Sequence, residues 1–362
     1  MSKCYLEPWS TCYHERFDDM RLKVCAHAIL APNGHNMQPW IIRLDPKDNL
    51  RFKLFVDPSR LTREIDPFVR QTVVSCGTFL GYAEVTAQKM GCQLNMEIFP
   101  EGNFDSQGTT ASLESKSVAA ITIGMPKGFD DRSYASIFMA GTNRFPYLPD
   151  KIGHDVCSQL SDMCNASGLR MQIYQDDANL IRIGNYVMEA ANIEARIKDV
   201  AQANRKLFRA NERQKNKFRY GFSFESQGVS GVKMMVAQVM LTVIPSMNSE
   251  KATSGSFLKS TREAVAGTPA FGIMLSKDNS REMQLKSGIC YAKLVLAANT
   301  EGLCVQPLSQ ALQEYGLMEE IKSNIHADYA RNGEAVQMLF RIGKPSRQAQ
   351  RTMRRDLMEM VF

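Results

Sequence analysis

A ten-residue stretch at positions 31–40, with the sequence APNGHNMQPW, combines turn-forming residues with short polar side chains. Pro32 presets one backbone dihedral angle, and Asn33 and Gly34 tolerate a positive φ. Pro39 disfavours the helical region for the residue before it. We therefore expect a compact polar bend that displays backbone amides. Such a bend suits a planar polar ligand, and the alternative is an ordinary loop with its tryptophan anchored in the core.

Arginine is well suited to hold a phosphate dianion, because it stays charged and donates two parallel hydrogen bonds. Two places in the chain offer arginine beside further polar or basic groups. One is Thr142-Asn143-Arg144, and the other is Arg354-Arg355. Arginines are common on protein surfaces, so each place alone is a weak indication of a phosphate site.

A third candidate, Gln306-Pro307-Leu308, follows Gly302 and a predicted helix at 281–300. A helix cap followed by a strand accounts for the glycine but not for the Gln-Pro pair. The sequence contains no P-loop, HExxH or GxGxxG motif, and its five histidines lack the spacing of metal ligands. We therefore expect no metal centre.

Residues 31–40 resemble the signature APSxHNTQPW of the nitroreductase superfamily. The resemblance is closest to the Acg-like branch, in which two nitroreductase units are fused in one chain. Residues 142–144 resemble the end of the family's phosphate-binding RxTxR motif. Residues 341–343 together with Arg354-Arg355 resemble the branch's closing RxG…RRPLxxV pattern.

Three residues depart from these patterns. Asn33 stands where the branch has serine, and Met37 stands where it has threonine. Ala140 takes the place of the family's first phosphate arginine, so the remaining arginines would carry more of the phosphate charge.

The resemblance implies an α+β, nitroreductase-like fold in which two fused units form an intrachain pseudo-dimer. The first unit would cover residues 1–128 and the second residues 129–362, with a helical insertion at about 181–245. That insertion is a candidate lid over the site. An ordinary helical hairpin is the alternative.

In the superfamily a flavin lies between two units, one of which supplies the bend and the other the phosphate ligands. Here the bend occurs only in the first half and the phosphate motif only in the second, so the resemblance implies one FMN per chain. The implied FMN-binding residues are Pro32, Asn33, Gly34, His35, Asn36 and Gln38 for the ring, Thr142, Asn143, Arg144, Arg354 and Arg355 for the phosphate, and Gln306, Pro307 and Leu308 beside flavin N5.

The implied function is an FMN-dependent oxidoreductase that passes a hydride from NAD(P)H through flavin N5 to an electron-poor small molecule. In this reading the flavin performs the chemistry, and His35 packs and hydrogen-bonds within the bend instead of acting as a general acid. An alternative is a protein that stores or sequesters FMN without turnover. The sequence does not identify the substrate.

The formal net charge is +6, and seven basic residues with one acid lie between Asn204 and Arg219. This run would usually be a solvated helix face. Nucleic-acid binding is a further alternative, weakened because only Phe208 and Phe218 interleave with the charges. No secretory signal or membrane-spanning segment is visible, and the most apolar run, 232–245, is too short to cross a bilayer. We expect a cytoplasmic monomer whose nine cysteines are reduced, mostly core thiols.

Hydrophobic periodicity predicts the main elements. The expected helices are 15–29, 66–90, 156–166 and 281–300, and the expected strands are 40–44, 52–57, 93–99, 118–125, 169–174, 270–275, 303–308 and 335–342. Residues 101–116 are expected to form a loop. In this interpretation the order of strands and helices differs between the two halves.

Overall fold

The computed structural model describes residues 2–125, 132–229, 231, 234–236, 250–331 and 333–362. Within these ranges the chain folds into two four-stranded antiparallel sheets with helices packed around them, which is an α+β fold. The strands are β1 (Trp40–Leu44), β2 (Arg51–Val56), β3 (Gln93–Ile98), β4 (Ala119–Gly124), β5 (Arg170–Tyr174), β6 (Ala270–Ser276), β7 (Cys304–Pro307) and β8 (Ala335–Gly343).

The helices in the described residues include two long ones, one in each half of the chain. The helices are α1 (Met20–Ala28), α2 (Arg70–Lys89), α3 (Thr110–Ser115), α4 (His154–Ala166), α5 (Asp177–Glu194), α6 (Lys198–Leu207), α7 (Glu212–Phe218), α8 (Glu250–Ala266), α9 (Arg281–Thr300) and α10 (Glu319–Tyr329). Of the helices described, none is both long and apolar enough to span a bilayer.

The two sheets have the same topology. The first has the strand order β1-β2-β4-β3 and the second the order β5-β6-β8-β7. In each half, two strands precede the long helix and two follow it. The expected difference in element order between the halves is therefore wrong. It arose because β1 and β2 are joined by residues 45–50, whereas 175–269 separate β5 from β6.

The long helices α2 and α9 cross at glycines. A Cβ atom on Gly77 would overlap the carbonyl oxygen of Leu285, and one on Gly288 would overlap that of Val74. A Cβ on Gly81 would lie 2.7 Å from Ala292 Cβ. Glycine is therefore required here by the close approach of two backbones, and this crossing joins the two halves.

The predicted elements are confirmed with shifted ends. Helix α2 begins at Arg70 instead of residue 66, because Val69 adopts a left-handed conformation and the Asp66 carboxylate accepts hydrogen bonds from the amides of Gln71 and Thr72. The expected loop at 101–116 contains the short helix α3, which is capped by Thr109. Helix caps depend on single polar side chains, and the spacing of apolar residues does not reveal where they lie.

Two segments from later in the chain pack into the core of the first half. Ile137 and Phe138 belong to that core, as do Leu357 and Met360 of the C-terminal tail. The tail also pairs with β1, since Ile42 N donates to Met360 O at 2.7 Å. The predicted boundary at residue 128 lies outside the described residues.

The insertion between β5 and β6 contains helices α5 to α8. Helix α5 packs against the second sheet through Ile183 and Val187. Helix α7 reaches the N-terminal segment of the chain, where Tyr5 donates to Glu212 Oε2 at 2.8 Å. Residues 230, 232–233 and 237–245 of the predicted insertion and apolar run lie outside the described part of the chain.

Candidate functional site

The bend at 31–40 is compact and polar, with a short 3₁₀ turn at Gly34–Asn36. Its left-handed residues are His35, Asn36 and Gln38, with φ of 51°, 53° and 52°. The predicted positions of positive φ were wrong, since Asn33 has a φ of −153°. Side-chain hydrogen bonds decide which residues of the bend are left-handed, because the Asn33 Oδ1 atom accepts from Gln38 N at 2.8 Å.

Helix α2 anchors one side of the bend through hydrogen bonds to Ser75. Ser75 Oγ accepts a hydrogen bond from Gly34 N at 3.0 Å, and Ser75 O accepts one from Trp40 Nε1 at 3.0 Å. Trp40 is fully buried against Phe79. The tryptophan is thus a core anchor, as the alternative interpretation of the motif expected, and it fixes the end of the bend to α2.

The C-terminal tail holds the bend from the other side. Arg354 is 3% exposed and donates to Asn36 Oδ1 and to Leu30 O, both at 2.8 Å. Gln38 Oε1 accepts from the backbone N of Arg355 at 2.8 Å. The predicted ring-contacting bend and the predicted phosphate arginines are therefore neighbours in the fold.

The insertion closes a third side of the bend. Asn36 Nδ2 donates to Gly221 O at 3.1 Å, and Gln38 Nε2 donates to Arg219 O at 2.9 Å. Further along, Ser226 O accepts from Arg144 Nη1 at 2.9 Å. The segment 219–228 thus lies between the bend and the predicted phosphate motif.

The basic run at 204–219 forms parts of two helices, α6 and α7, and not one helix as expected. Arg209 is buried and donates to backbone carbonyls, and Lys215 is paired with Glu212 and Glu225 at 2.6 and 2.5 Å. Arg219 lies 3.7 Å from Glu359. Three of the seven cations therefore stabilise the fold, which weakens the nucleic-acid alternative.

The second predicted motif is anchored to the second sheet. Asn143 N donates to Val305 O at 3.0 Å, and Arg341 Nε donates to Gln306 Oε1 at 2.7 Å. Arg341 also lies 3.9 Å above the ring of Tyr147. The motif at 142–144 therefore lies next to the β7 segment that contains Gln306, and Leu308 is fixed to β8 by a bond from its amide to Leu339 O.

Three arginines near these motifs lack a carboxylate partner. Within the described residues, Arg144, Arg341 and Arg354 form no ion pair, and Arg341 is completely buried. Packing around the Arg144 guanidinium lowers its pKa and the charge of Arg341 lowers it further, although the residue as a whole is solvent-exposed. Cations that are desolvated and close to one another are costly unless an anion lies nearby.

Two tyrosines of the long helices lie between these arginines, and sequence reasoning missed both. Tyr82 of α2 and Tyr291 of α9 are buried, and in the described part of the chain neither hydroxyl has a hydrogen-bond partner. Burial raises the pKa of both phenols, while Arg354 opposes the shift at Tyr82 and Arg144 opposes it at Tyr291. Neither tyrosine belongs to any of the motifs identified in the sequence.

His35 is the histidine of the bend. Burial lowers its pKa to about 4, and the positive charge of Arg144 acts in the same direction. The imidazole is therefore neutral at neutral pH. A neutral imidazole suits packing and hydrogen bonding within the bend.

Two clefts can be compared with this arrangement. A narrow one lies between the bend and the start of α2, lined by His35, Arg60, Asp66 and Gln71 among others. A larger one of about 400 Å³ lies at the edge of the second sheet, beside the Arg170–Glu334 ion pair. The larger cleft contains none of the predicted site residues, so the convergence of motifs and not cavity size identifies the candidate site.

Sequence comparison finds similar proteins over part of the chain. No family model matches. Over 109 residues the chain is 28% identical to proteins named "Putative NAD(P)H nitroreductase" from two strains of Mycobacterium tuberculosis. The match covers 29% of this chain and 31% of each relative, so the chain spans about a third of the length of the curated relatives it matches.

Solved structures with some similarity also carry nitroreductase names. One from Anabaena variabilis has 10% identity and a TM-score of 0.40, covering 87% of this chain and 82% of its own. The FMN-dependent nitroreductase NfnB from Mycobacterium smegmatis, solved with NADPH, has 14% identity and a TM-score of 0.35, covering 60% of this chain and 92% of its own.

Proposed function

We propose that this chain is a nitroreductase-like flavoprotein of the Acg-like kind, in which two fused units form a pseudo-dimer within one chain. The identical order of the two sheets and the glycine crossing of α2 and α9 support the duplicated architecture. The curated relatives and the signature-like bend support the family. One composite site per chain follows, because the bend and the phosphate motif each occur once.

The donor set at this site fits a phosphate-bearing cofactor. Arg144 and Arg354 lack carboxylate partners in the described residues, and the hydroxyls of Tyr82 and Tyr291 are buried without acceptors. A phosphate dianion accepts several hydrogen bonds and carries the charge opposite to that of the two arginines, so donors of this kind suit it. This convergence of unpaired cations and orphaned hydroxyls is the observation that carries the proposal.

The proposed FMN residues then divide into direct and supporting groups. Arg144 and Thr142 would meet the phosphate, while Asn143 is engaged by the protein and orders the motif. Arg354 contributes charge and also holds the bend, and Arg355 remains a proposed ligand although Glu359 and Gln38 already accept its hydrogen bonds.

The bend residues Pro32, Gly34 and His35 would face the flavin ring, with Gln306 and Pro307 on the side of the second unit. Bound FMN would supply two-electron hydride chemistry. The chain would orient the ring and exclude water with segment 219–228, which already covers the bend. Movement of this insertion as a lid is part of the proposal.

The function we propose is transfer of a hydride from NAD(P)H to an electron-poor small molecule. FMN storage without turnover is the second candidate, favoured by the extent to which the insertion is bonded to the bend. The visible spectrum of the purified protein tests for flavin. Bleaching of that spectrum by NADH or NADPH without air, followed by recovery on adding a nitroaromatic or quinone, supports turnover. A flavin spectrum that neither nucleotide bleaches supports storage.

A further inference from the structure

Two cysteine thiols of the second half are in contact inside its core. Cys164 lies in the last turn of α4 and Cys290 lies in α9, and their Sγ atoms are 3.1 Å apart. Both are free thiols, with side chains 0% and 1% exposed. The neighbouring thioether, Met171 Sδ, lies 3.6 Å from Cys164 Sγ. The two thiols are therefore packed more tightly than the thiol and thioether beside them.

The surroundings of the pair suit a disulfide bond. A disulfide holds its sulfurs about 2.05 Å apart, so the pair is about 1 Å from bonding distance. Helix α4 packs against α9, so the two elements that would be joined are already neighbours. The pair lies in an apolar cluster with Leu160, Leu169 and Leu294. A disulfide carries no charge, so its burial there does not incur the cost of burying a thiolate.

The end of α4 gives a small oxidant access to the pair. Residues 165–168, which follow Cys164, are exposed. The Cys164 carbonyl accepts hydrogen bonds from the amides of Ser167 and Leu169 at 3.0 and 3.1 Å, and these bonds close the helix. Helix ends open locally at low cost. The same segment lines the cleft of about 400 Å³ at the edge of the second sheet, so opening one turn exposes Cys164 to solvent there.

Cys290 is suited to react first. The hydrogen bond with Cys164 lowers the pKa of the Cys290 thiol, and Ser167 and Lys293 act in the same direction, while burial opposes them. The same hydrogen bond raises the pKa of the Cys164 thiol. The thiolate is the form that attacks an oxidant. Cys164 then lies in contact with the oxidised sulfur and is placed to react with it.

We propose that Cys164 and Cys290 form a redox-active pair that hydrogen peroxide converts to a disulfide. The Cys290 sulfur attacks one peroxide oxygen, the O–O bond breaks, and a sulfenic acid and one water form. The Cys164 sulfur then attacks the sulfenic sulfur, the S–S bond forms and the S–O bond breaks. The released hydroxide leaves as a second water with the Cys164 proton. Two electrons pass from the two thiols to peroxide. No flavin takes part, so the pair reacts in the same way in the apo protein.

The disulfide would close a long loop of the second half. The two cysteines are 126 positions apart, and β5, β6 and residues 175–269 lie between them. A crosslink that closes a loop restricts the unfolded chain and so favours the folded state, more strongly for a longer loop. Oxidation would therefore stabilise the half of the molecule that contains the insertion.

The test uses the full chain, purified in the reduced form and then treated with hydrogen peroxide. Remaining thiols are blocked by alkylation before electrophoresis without reductant. The wild type should give a monomer band that migrates faster than the reduced chain, because a closed loop makes the denatured chain more compact. Dithiothreitol should reverse the change. Cys164→Ala and Cys290→Ala should each lose the faster band. Cys76→Ala, which removes a buried thiol of α2 outside the pair, is the matched control and should keep it.

A second set of measurements needs no substitution in the pair. Mass spectrometry of the digested, oxidised wild type should find the peptides of Cys164 and Cys290 joined, with a mass two hydrogens below their sum. Oxidation should also raise the midpoint of thermal unfolding by about 5 °C in the wild type and in Cys76→Ala.

Oxidation of the exposed Cys12 in the same samples shows that the peroxide was active. If Cys12 is oxidised while Cys164 and Cys290 are recovered as unlinked peptides, the redox pair is overturned. Joined peptides in which either residue is linked to a different cysteine overturn it as well. A faster band that persists in Cys164→Ala or Cys290→Ala has the same meaning.

Discussion

The two halves of this chain have the same sheet topology but contribute different chemistry to the candidate site. The first half joins its first two strands with residues 45–50 and supplies a bend whose polar groups are nearly all bonded to protein. The second half places residues 175–269 at the equivalent connection and supplies Arg144, Arg341 and Arg354, which form no ion pair within the described residues. A duplicated scaffold therefore does not imply a duplicated site. Loops and tails decide which half positions a ligand and which half balances its charge.

The largest effect should come from removing the residue through which the tail holds the first half. Arg354→Ala deletes hydrogen bonds to Asn36, Leu30 and Ala31 and removes the donor to Asn36 Oδ1 and Leu30 O, whereas Ala31 O keeps the bond from Asn33 Nδ2. We expect a loss of about 3–4 kcal/mol in the unfolding free energy of the apo protein, measured by denaturant titration. Arg351→Ala, an exposed neighbour, is the control and should lose less than about 1 kcal/mol. Equal losses would mean that the tail is not what holds the bend.

The crossing of α2 and α9, which joins the two halves, should be nearly as sensitive to substitution. Gly288→Ala introduces a methyl group against the Val74 carbonyl, so α2 and α9 must separate. We expect destabilisation of about 2–3 kcal/mol by thermal or denaturant unfolding. Gly255→Ala, in α8 with open space around it, should instead stabilise by up to about 1 kcal/mol. If both variants were stabilised, the proposed close crossing would be contradicted.

The contribution of the second half to ligand binding is tested at Arg144. Arg144→Ala should weaken FMN binding about tenfold to a hundredfold, because one charge-assisted bond is worth roughly 1.5–3 kcal/mol. Arg213→Ala, in the exposed part of the basic run, should leave the affinity unchanged. Fluorescence titration of FMN into both apo variants measures the difference. Equal affinities would remove the phosphate assignment.

The smallest effect concerns the segment that crosses between the halves at 132–139. Buried His27 contacts Lys23 O and Tyr134 Oη, both at 2.8 Å, and burial lowers its pKa to about 4. A depressed histidine pKa stabilises the fold above the unfolded-state pKa, and this contribution is lost as the pH falls. We expect a loss of about 1–2 kcal/mol between pH 7 and pH 5 from this group.

His27→Asn should flatten that part of the pH profile, measured by denaturant unfolding at each pH. His154→Asn, at an exposed position, should not change the profile. A profile that stays the same in His27→Asn would show that the crossing segment does not depend on a neutral imidazole.

Local patterns were sufficient to predict the strands and the long helices. The alternation at Trp40–Leu44 and the apolar stripe of α2 both fall where expected. Contacts between distant residues were not predictable in this way. Nothing near Gly221 in sequence reveals that its carbonyl accepts from Asn36, and nothing near Tyr82 reveals a neighbouring tyrosine from the other half.

One buried carboxyl group, that of Glu194 in α5, did leave a signal in the sequence. Ile183, Val187, Ala190 and Glu194 share a face of α5, so a carboxyl group occupies a position that helical spacing assigns to the core. The site assignment itself was carried by resemblance and not by spacing. Composition alone would have treated Arg144 and Arg213 alike, although only one of them lies among buried groups.

The way the bend is held has a consequence for how the protein is made. The bond between Arg354 and Asn36 spans 318 positions, and the left-handed residues His35 and Gln38 have little support before such bonds form. During synthesis, residues 31–40 emerge from the ribosome 318 positions ahead of Arg354, which completes their support. The first half would therefore remain with an incomplete corner until residue 354 has been made, and the candidate site would be assembled only after that point.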